Sequence, residues 1–266
     1  MSEETPEHSQ TRIIAVANQK GGVGKTTTVI NLGANLATSE KRTLVIDLDP
    51  QCNASSGLGF EPTEEPTLLE VLLEEADQPT ILSFETIPGL DVITGSPDLV
   101  GAEKLLPQSG SDPLQAVNRM IQKLPNQENP YEYIFLDCPP SLGMLTLNAF
   151  SAATHLMIPV QAEYFALEGL TSIMESLQVA QARMNEDLNL YGILITMMDL
   201  RTNLSRQVEA EIRNHYGDKV FRTTIPRNVR LSEAPSHALP VTLYDFWSSG
   251  AKAYMELTKE ILRNGS

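Results

Sequence analysis

The sequence has little cysteine and no long apolar run. Only two cysteines, Cys52 and Cys138, occur among its 266 residues. Two cysteines cannot build the disulfide framework of a small secreted protein, and they lack metal-site spacing, so we expect a reducing, cytoplasmic location. No run approaches the roughly 18 apolar residues of a membrane span. The sequence therefore predicts neither a disulfide-stabilised nor a transmembrane protein.

The sequence also lacks linkers and repeats. No Gly/Ser-rich or Pro-rich stretch divides it, and 41% hydrophobic residues are ample for a core. Residues 1–11 are polar and acidic, without the basic start and apolar stretch of a signal peptide. We therefore predict a disordered polar tail over 1–11 and one domain over 12–266.

Negative charge dominates, but unevenly. The net charge is −15, yet residues 1–182 hold 8 Lys or Arg against 24 Asp or Glu, whereas residues 183–266 hold 11 against 10. The total argues against a nucleic-acid partner. On charge alone, two solvated faces of opposite sign are expected, unless a dimer aligns the basic stretches of two subunits. The basic residues in question are Arg201, Arg206, Arg213, Lys219, Arg222, Arg227 and Arg230.

Apolar runs alternate with helical patterns along the whole chain. This alternation predicts an α/β protein with a mainly parallel, twisted sheet and helices on both faces. Ligands of such sheets bind at the carboxyl ends of the strands. We predict strands at 43–47, 90–94, 133–137, 155–160, 190–197 and 220–225, a long helix at 163–183, a helix from an Asn203 cap to Tyr216, and a closing helix at 246–262.

The most informative segment is the glycine-rich stretch 20–28, KGGVGKTTT. It follows an apolar run at 13–17 and precedes a helical pattern, which is the context of a phosphate-binding loop. Glycines let backbone N–H groups point inward at an anion, and the next helix adds the positive end of its dipole. Lys25 would reach the β- and γ-phosphates, and the Thr26 hydroxyl would ligate Mg²⁺.

One position departs from the usual phosphate loop. Gln19 stands where a glycine is expected, and a second lysine, Lys20, opens the loop. A short loop that already holds Lys25 gains little from another cation unless a more anionic group comes near.

The loop resembles the deviant Walker A box, KGGxGK[ST][ST], of the ParA/MinD group of P-loop ATPases. From about Arg12 to Leu262 the chain resembles the Soj/ParA chromosome- and plasmid-partitioning ATPases of that group. The resemblance implies ATP and Mg²⁺ as cofactors and an ATP-dependent sandwich homodimer, in which Lys20 reaches the partner subunit's nucleotide. It implies a nucleotide site formed by Lys20, Gly21, Gly22, Val23, Gly24, Lys25, Thr26 and Thr27, with Lys20, Lys25 and Asp49 as catalytic residues.

Two carboxylates follow the strand at 43–47. Asp47 and Asp49 lie two residues apart on an extended segment, so they point to the same side. Such acids are costly to bury unless a cation or water network receives them, although an Asp-Pro turn with capping carboxylates is the alternative. The segment resembles the family's switch I, which implies that Asp49 activates the attacking water and Asp47 supports the Mg²⁺ shell.

Two further strand ends complete the predicted site. Asp137 closes the apolar strand 133–137 in a Walker B pattern and would hold Mg²⁺ through water. The Pro139-Pro140 loop after it resembles switch II. Near the C-terminus, the resemblance implies that Pro226 lies against adenine and that Asn228 reads the base edge.

The resemblance also implies a DNA face, because Arg201 and Arg230 match DNA-binding positions of Soj-like proteins. Arg206, Arg213, Arg222 and Lys252 fit a solvated face equally well. No aromatic residues are interleaved with the arginines, so contact would be with phosphates, nonspecific in sequence and salt-dependent. The implied function is a nucleoid-associated segregation ATPase, slow alone because no cis arginine finger is evident, and stimulated by a ParB-like centromere-binding protein.

Two alternatives remain open at this point. A MinD-like ATPase that positions itself on a membrane surface would end in a basic amphipathic helix, whereas residues 254–263 have mixed charge and a short apolar face. We therefore expect no membrane partner. A nucleotide-gated regulator of replication or transcription is the second alternative. The segment before Arg12 is too short for a helix-turn-helix module, which disfavours operator binding.

Overall fold

A computed structural model of the protein describes residues 11–125 and 129–264. The predicted tail therefore lies, except for Thr11, outside the described residues. Within these ranges the chain forms seven strands. They are β1 (Arg12–Val16), β2 (Thr43–Asp47), β3 (Leu82–Ser83), β4 (Leu90–Ile93), β5 (Tyr133–Asp137), β6 (His155–Gln161) and β7 (Asn189–Thr196).

Helices follow most of the strands. They are α1 (Lys25–Thr38), α2 (Asn53–Gly57), α3 (Leu68–Leu72), α4 (Ala102–Leu105), α5 (Ala116–Gln122), α6 (Met144–Ala152), α7 (Ala166–Arg183), α8 (Asn203–Tyr216), α9 (Val229–Glu233), α10 (Val241–Tyr244) and α11 (Ser249–Asn264). Short 3-10 turns cover Pro97–Gly101, Leu106–Gln108, Gly217–Lys219 and Ala234–His237. Among the described residues, no helix is both long and apolar enough to cross a bilayer.

All the strands belong to one sheet, in the order β3-β4-β2-β5-β1-β6-β7. Every neighbouring pair is parallel except the short β3, which runs antiparallel to β4 at the edge. The central strands β2 and β5 are buried at every residue, as expected for a parallel sheet covered on both faces. The predicted single-domain α/β fold is confirmed.

The helices divide between the two faces of the sheet. Successive strand residues point to opposite faces, so Ile14 and Val16 pack with α1, α10 and α11, whereas Ala15 packs on the side of α3, α5, α6, α7 and α8. Two apolar clusters thus enclose the sheet, and both exclude water from the strands that carry the site.

The strand register brings the predicted motifs to one edge of the sheet. Asp137, the last residue of β5, pairs in register with Asp47 of β2 on one side and Val16 of β1 on the other. The loop from β1 to α1 therefore begins beside both carboxylates.

The predicted strand 220–225 is wrong. Only isolated parallel bridges form there, from Val220 to Ile193 and from Pro226 to Met198. The N–H groups of Phe221 and Ile225 donate to carbonyl oxygens of β7, but side chains bind the backbone between them. The Glu260 carboxylate accepts from the N–H groups of Arg222 and Thr223. Arg213 donates to the carbonyl oxygens of Phe221 and Arg222. Backbone groups satisfied in this way have no need of a ladder.

The predicted N-cap of α8 is also shifted by one residue. Thr202, not Asn203, is the cap, and its hydroxyl accepts from the Ser205 N–H at 3.3 Å. Asn203 is the first helical residue, and its side-chain oxygen accepts from Arg206. Thr and Asn both satisfy the orphan donors of a helix start, so their order in the sequence does not decide between them.

Candidate functional site

The glycine-rich loop curls around the start of α1. Gly22 and Gly24 have φ of 73° and 93°, a left-handed conformation that side chains rarely adopt. Gly24 is the N-cap of α1, and its carbonyl oxygen accepts from the Thr28 N–H. The Thr196 hydroxyl, at the end of β7, donates to the Val23 carbonyl oxygen at 2.8 Å in a buried bond. The loop is thereby fastened to a second strand.

A cavity of about 430 Å³ lies over this loop. Lys25 lines it and is only 7% exposed. Burial lowers the pKa of Lys25, and the nearby charges of Asp137, Cys138 and Asp49 oppose that shift. A bound anion would further favour the charged form of this lysine. The lining consists of Gly21, Gly22, Gly24, Lys25, Thr26, Thr27, Ile30, Asp49, Gln51, Asn53, Ser56, Pro140, Met197 and Pro235.

Asp137 is fully buried and lies close enough to Lys25 for their charges to interact, although it does not line the cavity. Neither of its carboxylate oxygens has a protein partner in hydrogen-bonding geometry among the described residues. Burial, reinforced by the charge of Asp47, raises the pKa of Asp137 well above its usual value, and the Thr26 side chain opposes the shift. A buried carboxylate without a partner is costly. Asp137 and the Thr26 hydroxyl are oxygen donors of the kind that Mg²⁺ prefers, so these residues fit that ion.

Asp47 is also fully buried, but its oxygens are occupied. One oxygen accepts from the N–H and hydroxyl of Ser55, at 2.8 and 2.7 Å, and the other accepts from the Asp49 N–H at 3.2 Å. Burial raises the pKa of Asp47, and the Ser55 bonds oppose the shift. Asp47 thus organises the loop after β2, and its part in a magnesium shell stays a prediction.

Asp49 combines the two roles that the sequence left open. Its Oδ1 accepts from the Gln51 N–H at 3.0 Å and its carbonyl oxygen accepts from the Cys52 N–H, so it caps the turn at Pro50. It also lines the cavity beside the phosphate loop. A carboxylate so placed can orient a water molecule toward a bound phosphate.

A second cavity of about 300 Å³ adjoins the first and shares Gly24, Thr27, Met197 and Pro235 with it. Both predicted adenine contacts, Pro226 and Asn228, line it. The Asn228 side chain is partly committed, because its oxygen accepts from the Arg230 N–H and its amide donates to Ser249. The remaining walls come from Thr196, Ile225, Arg227, Leu231, Ser232 and Tyr254.

Lys20 lines neither cavity. Its ammonium group forms an ion pair with Glu163, in the turn after β6, and its side chain remains 48% exposed. The two lysines of the loop therefore differ in environment. Lys25 is buried and lines the first cavity, whereas Lys20 lies at the surface.

Both predicted DNA contacts are exposed and paired with carboxylates. Arg201 makes a two-point contact with Asp199, at 2.9 and 2.8 Å, which lowers the pKa of Asp199 to about 2. Arg230 contacts Glu233 at 2.7 Å and Asp245 at 3.2 Å. Arg213 is committed to the segment 220–226, so a solvated role does not describe it.

Three residues that sequence analysis missed organise the site. They are Ser55, which holds Asp47, Thr196, which holds the phosphate loop, and Glu163, which pairs with Lys20. Thr196 and Glu163 lie at or just after the carboxyl ends of strands, the edge where ligands bind. That rule was the available signal for both. Ser55 carries no comparable signal, because it lies within an unpredicted helix of five residues.

The fold and the site together define a P-loop nucleotide-binding protein: a parallel sheet whose first strand opens into a glycine loop, with a buried lysine and a strand-end aspartate. Comparison with known proteins agrees. A family model described as an AAA domain matches residues 11–190.

Two curated relatives are similar over nearly the whole chain. The sporulation initiation inhibitor protein Soj of Bacillus subtilis is 48% identical over 256 residues, covering 96% of this chain and 99% of that protein. The chromosome partitioning protein ParA of Caulobacter vibrioides is 46% identical, covering 94% of each chain. The chain belongs to the ParA/Soj family of partitioning ATPases.

Solved structures support the fold. Cobyrinic acid a,c-diamide synthase from Mycobacterium smegmatis, bound to ADP and magnesium, aligns with a TM-score of 0.81 at 35% identity, covering 96% of this chain and 95% of that one. MinD from Pyrococcus horikoshii, complexed with Mg-ADP, aligns at 0.73 and 23% identity, covering 95% and 96%. At that identity the second likeness concerns the fold alone.

Proposed function

We propose that the protein is an ATP-switched DNA-partitioning ATPase whose ATP-bound homodimer binds DNA without sequence specificity. The observation that carries the proposal is the division between its two loop lysines. Lys25 is buried and lines the first cavity, whereas Lys20 lines neither of the two adjoining cavities and stays half exposed. A second lysine in a phosphate loop that does not line its own subunit's cavities can bind another subunit's nucleotide when the two subunits approach.

ATP and Mg²⁺ would occupy the two adjoining cavities. The phosphate loop and Lys25 would bind the phosphates, Pro226 and Asn228 the base, and Thr26 and Asp137 the magnesium ion. When bound, Mg²⁺ neutralises charge on the phosphates. The similarity to a synthase that binds ADP and magnesium supports this assignment.

Asp49 is the residue proposed to position the attacking water. It is 7% exposed and lines the phosphate cavity. No arginine is among the described residues that line that cavity. Intrinsic turnover would therefore be slow, because an arginine that stabilises the transition-state charge is a large part of fast hydrolysis in this class. A ParB-like partner would supply the stimulation.

DNA binding would require the two arginines to exchange carboxylate partners for phosphates. Arg201 and Arg230 are exposed and already bound by Asp199 and by Glu233 and Asp245. A monomer of net charge −15 would bind DNA weakly, and a dimer would present both basic edges together. Nucleoid association in the cytoplasm would follow.

A gel shift with random-sequence duplex DNA tests this proposal. The protein is incubated with Mg²⁺ and ATP, with Mg²⁺ and ADP, or without nucleotide. We expect DNA to be retained only in the sample with Mg²⁺ and ATP. This retention should fall steeply as the salt concentration rises, because phosphate contacts release counterions. Equal retention in all three conditions would contradict a nucleotide switch.

A regulator of gene expression is a second candidate, because the Bacillus subtilis relative is named a sporulation initiation inhibitor. The two candidates differ in how DNA is read. Random competitor DNA should displace a partitioning ATPase from any duplex equally well. A footprint that survives such competition at one discrete sequence would favour the regulator.

A further inference from the structure

The ion pair between Lys20 and Glu163 joins the phosphate loop to the turn that follows β6. Both side chains are partly exposed, 48% for Lys20 and 32% for Glu163. Tyr164 and Phe165 stand beside Glu163 and are 77% and 64% exposed. Two exposed aromatic side chains next to each other are typical of a surface that another molecule covers.

The loop does not depend on this ion pair for its position. The Asn18 side chain accepts from the Lys20 N–H at 3.0 Å and donates to the Pro159 carbonyl oxygen at 2.8 Å. Gln19 donates to the Ser172 hydroxyl on α7 at 2.8 Å. These bonds already hold the start of the loop against β6 and α7. The Glu163 carboxylate therefore acts on the charge of the Lys20 ammonium group and is not needed to position the loop.

We propose that Glu163 is a cis latch, which holds the Lys20 ammonium within its own subunit and so raises the nucleotide threshold for dimerisation. The inference rests on the proposed function, in which Lys20 completes the nucleotide site of a second copy of this chain. Glu163 is a positioning residue here, because it acts on the nucleotide only through Lys20.

The charges explain how such a latch can discriminate between nucleotides. A partly exposed ion pair is weak, since water screens both charges. A triphosphate carries more negative charge than one carboxylate, so Lys20 gains by leaving Glu163 for the partner's ATP. ADP offers less charge and competes less well with Glu163. The cost of breaking the pair is the same for either nucleotide, so the pair suppresses dimers wherever the gain at the partner's nucleotide is too small to offset it, which is the case for ADP rather than for ATP.

Glu163→Gln removes the competing charge and keeps the size of the side chain. With Mg²⁺ and a non-hydrolysable ATP analogue, we expect the dimer dissociation constant, measured by sedimentation velocity, to fall roughly two- to fivefold. With ADP, dimers should become detectable at protein concentrations where the unchanged protein is monomeric. Glu168→Gln on α7 is the matched control, because it removes the same charge from an exposed position with no contact to Lys20.

The same substitution in a variant that lacks Lys20 distinguishes the latch from other effects of Glu163. In Lys20→Ala protein, which is expected to stay monomeric, Glu163→Gln should not produce dimers with either nucleotide, because there is no lysine to release. Weaker dimers in Glu163→Gln than in Glu168→Gln would overturn the latch, as that result would make Glu163 a contact of the dimer. Equal constants for both variants and the unchanged protein would also overturn it, while leaving the proposed function standing. If the unchanged protein forms no ATP-dependent dimer, the proposed function falls and the latch falls with it.

Discussion

Buried carboxylates set the chemistry of the site at the scale of single residues. Asp47 and Asp137 pair in register on adjacent strands and are both fully buried, yet only Asp47 is satisfied by protein donors. Burial raises the pKa of both carboxyl groups; the charge of Asp47 adds to the shift of Asp137, and the charge of Asp49 adds to the shift of Asp47. The unequal hydrogen bonding assigns a structural task to Asp47 and leaves Asp137 open to a cation.

Ser55→Ala should destabilise the protein through Asp47. The substitution removes the Ser55 hydroxyl, which donates to Asp47 and accepts from the Gly95 N–H. Since both partners are buried, we expect a loss of roughly 1–3 kcal/mol in the free energy of unfolding, measured in urea. Ser56→Ala is the control, because Ser56 is exposed on the same helix. Equal losses for the two variants would show that the Asp47 contact contributes nothing particular.

Asp49→Ala should abolish turnover while nucleotide still binds. If Asp49 positions water, its loss should lower kcat for ATP hydrolysis by at least about 100-fold. ATP-bound dimers should then accumulate, which size-exclusion chromatography with light scattering would detect. Unchanged turnover would remove Asp49 from catalysis and leave it only the turn-capping role seen at Pro50.

At the scale of elements, the sequence predicted strands and their ends well. Continuous apolar runs such as 133–137 become fully buried central strands, so their apolar content and short length were enough to predict them. The segment 220–225 shows the limit. Its apolar pattern indicated a strand, but Arg213 and Glu260, which lie 8 or more residues away in sequence, bind its backbone groups. The same holds for Ser55 and Thr196, whose partners become neighbours only after folding.

Glu260→Ala should loosen this segment, which supplies Ile225 and Pro226 to the second cavity. Without the carboxylate, the N–H groups of Arg222 and Thr223 lose their acceptor, at a cost of roughly 1–3 kcal/mol. We expect faster hydrogen exchange at these two amides and weaker binding of a fluorescent adenine nucleotide.

Glu256→Ala is the matched control, one turn earlier on α11. Glu256 forms an ion pair with the exposed Lys259, a contact of little energetic weight. Similar exchange rates in the two variants would mean that Glu260 does not hold the segment.

At the scale of the whole molecule, the negative net charge conflicts with the proposed binding of DNA. The protein carries −15 overall, and its two predicted DNA contacts are already paired with its own carboxylates. Single arginines of this kind should bind phosphate weakly, because each must first leave a carboxylate. Pairing two subunits doubles the number of contacts on one duplex, and binding two linked sites multiplies affinity. We therefore propose that dimerisation is the step that converts an acidic protein into a DNA binder.

Arg230→Glu should weaken DNA binding without altering hydrolysis. The variant reverses one charge per subunit and places it beside Glu233 and Asp245, so random-duplex affinity at low salt should fall by about tenfold or more. Lys123→Glu is the control, since Lys123 is an exposed cation at the end of α5, on the opposite face of the sheet. If Arg230→Glu retains DNA as well as the unchanged protein does, Arg230 is not part of the DNA-binding surface.

The central claim is that Lys20 finishes the nucleotide site of a partner subunit and thereby creates the DNA-binding form. Sedimentation velocity with a fluorescent random duplex follows protein and DNA in one measurement. With Mg²⁺ and a non-hydrolysable ATP analogue, the unchanged protein should sediment as a dimer and carry the duplex with it. Lys20→Ala should bind the analogue, remain monomeric and leave the duplex free. A Lys20→Ala protein that forms dimers and carries DNA as well as the unchanged protein would contradict the account.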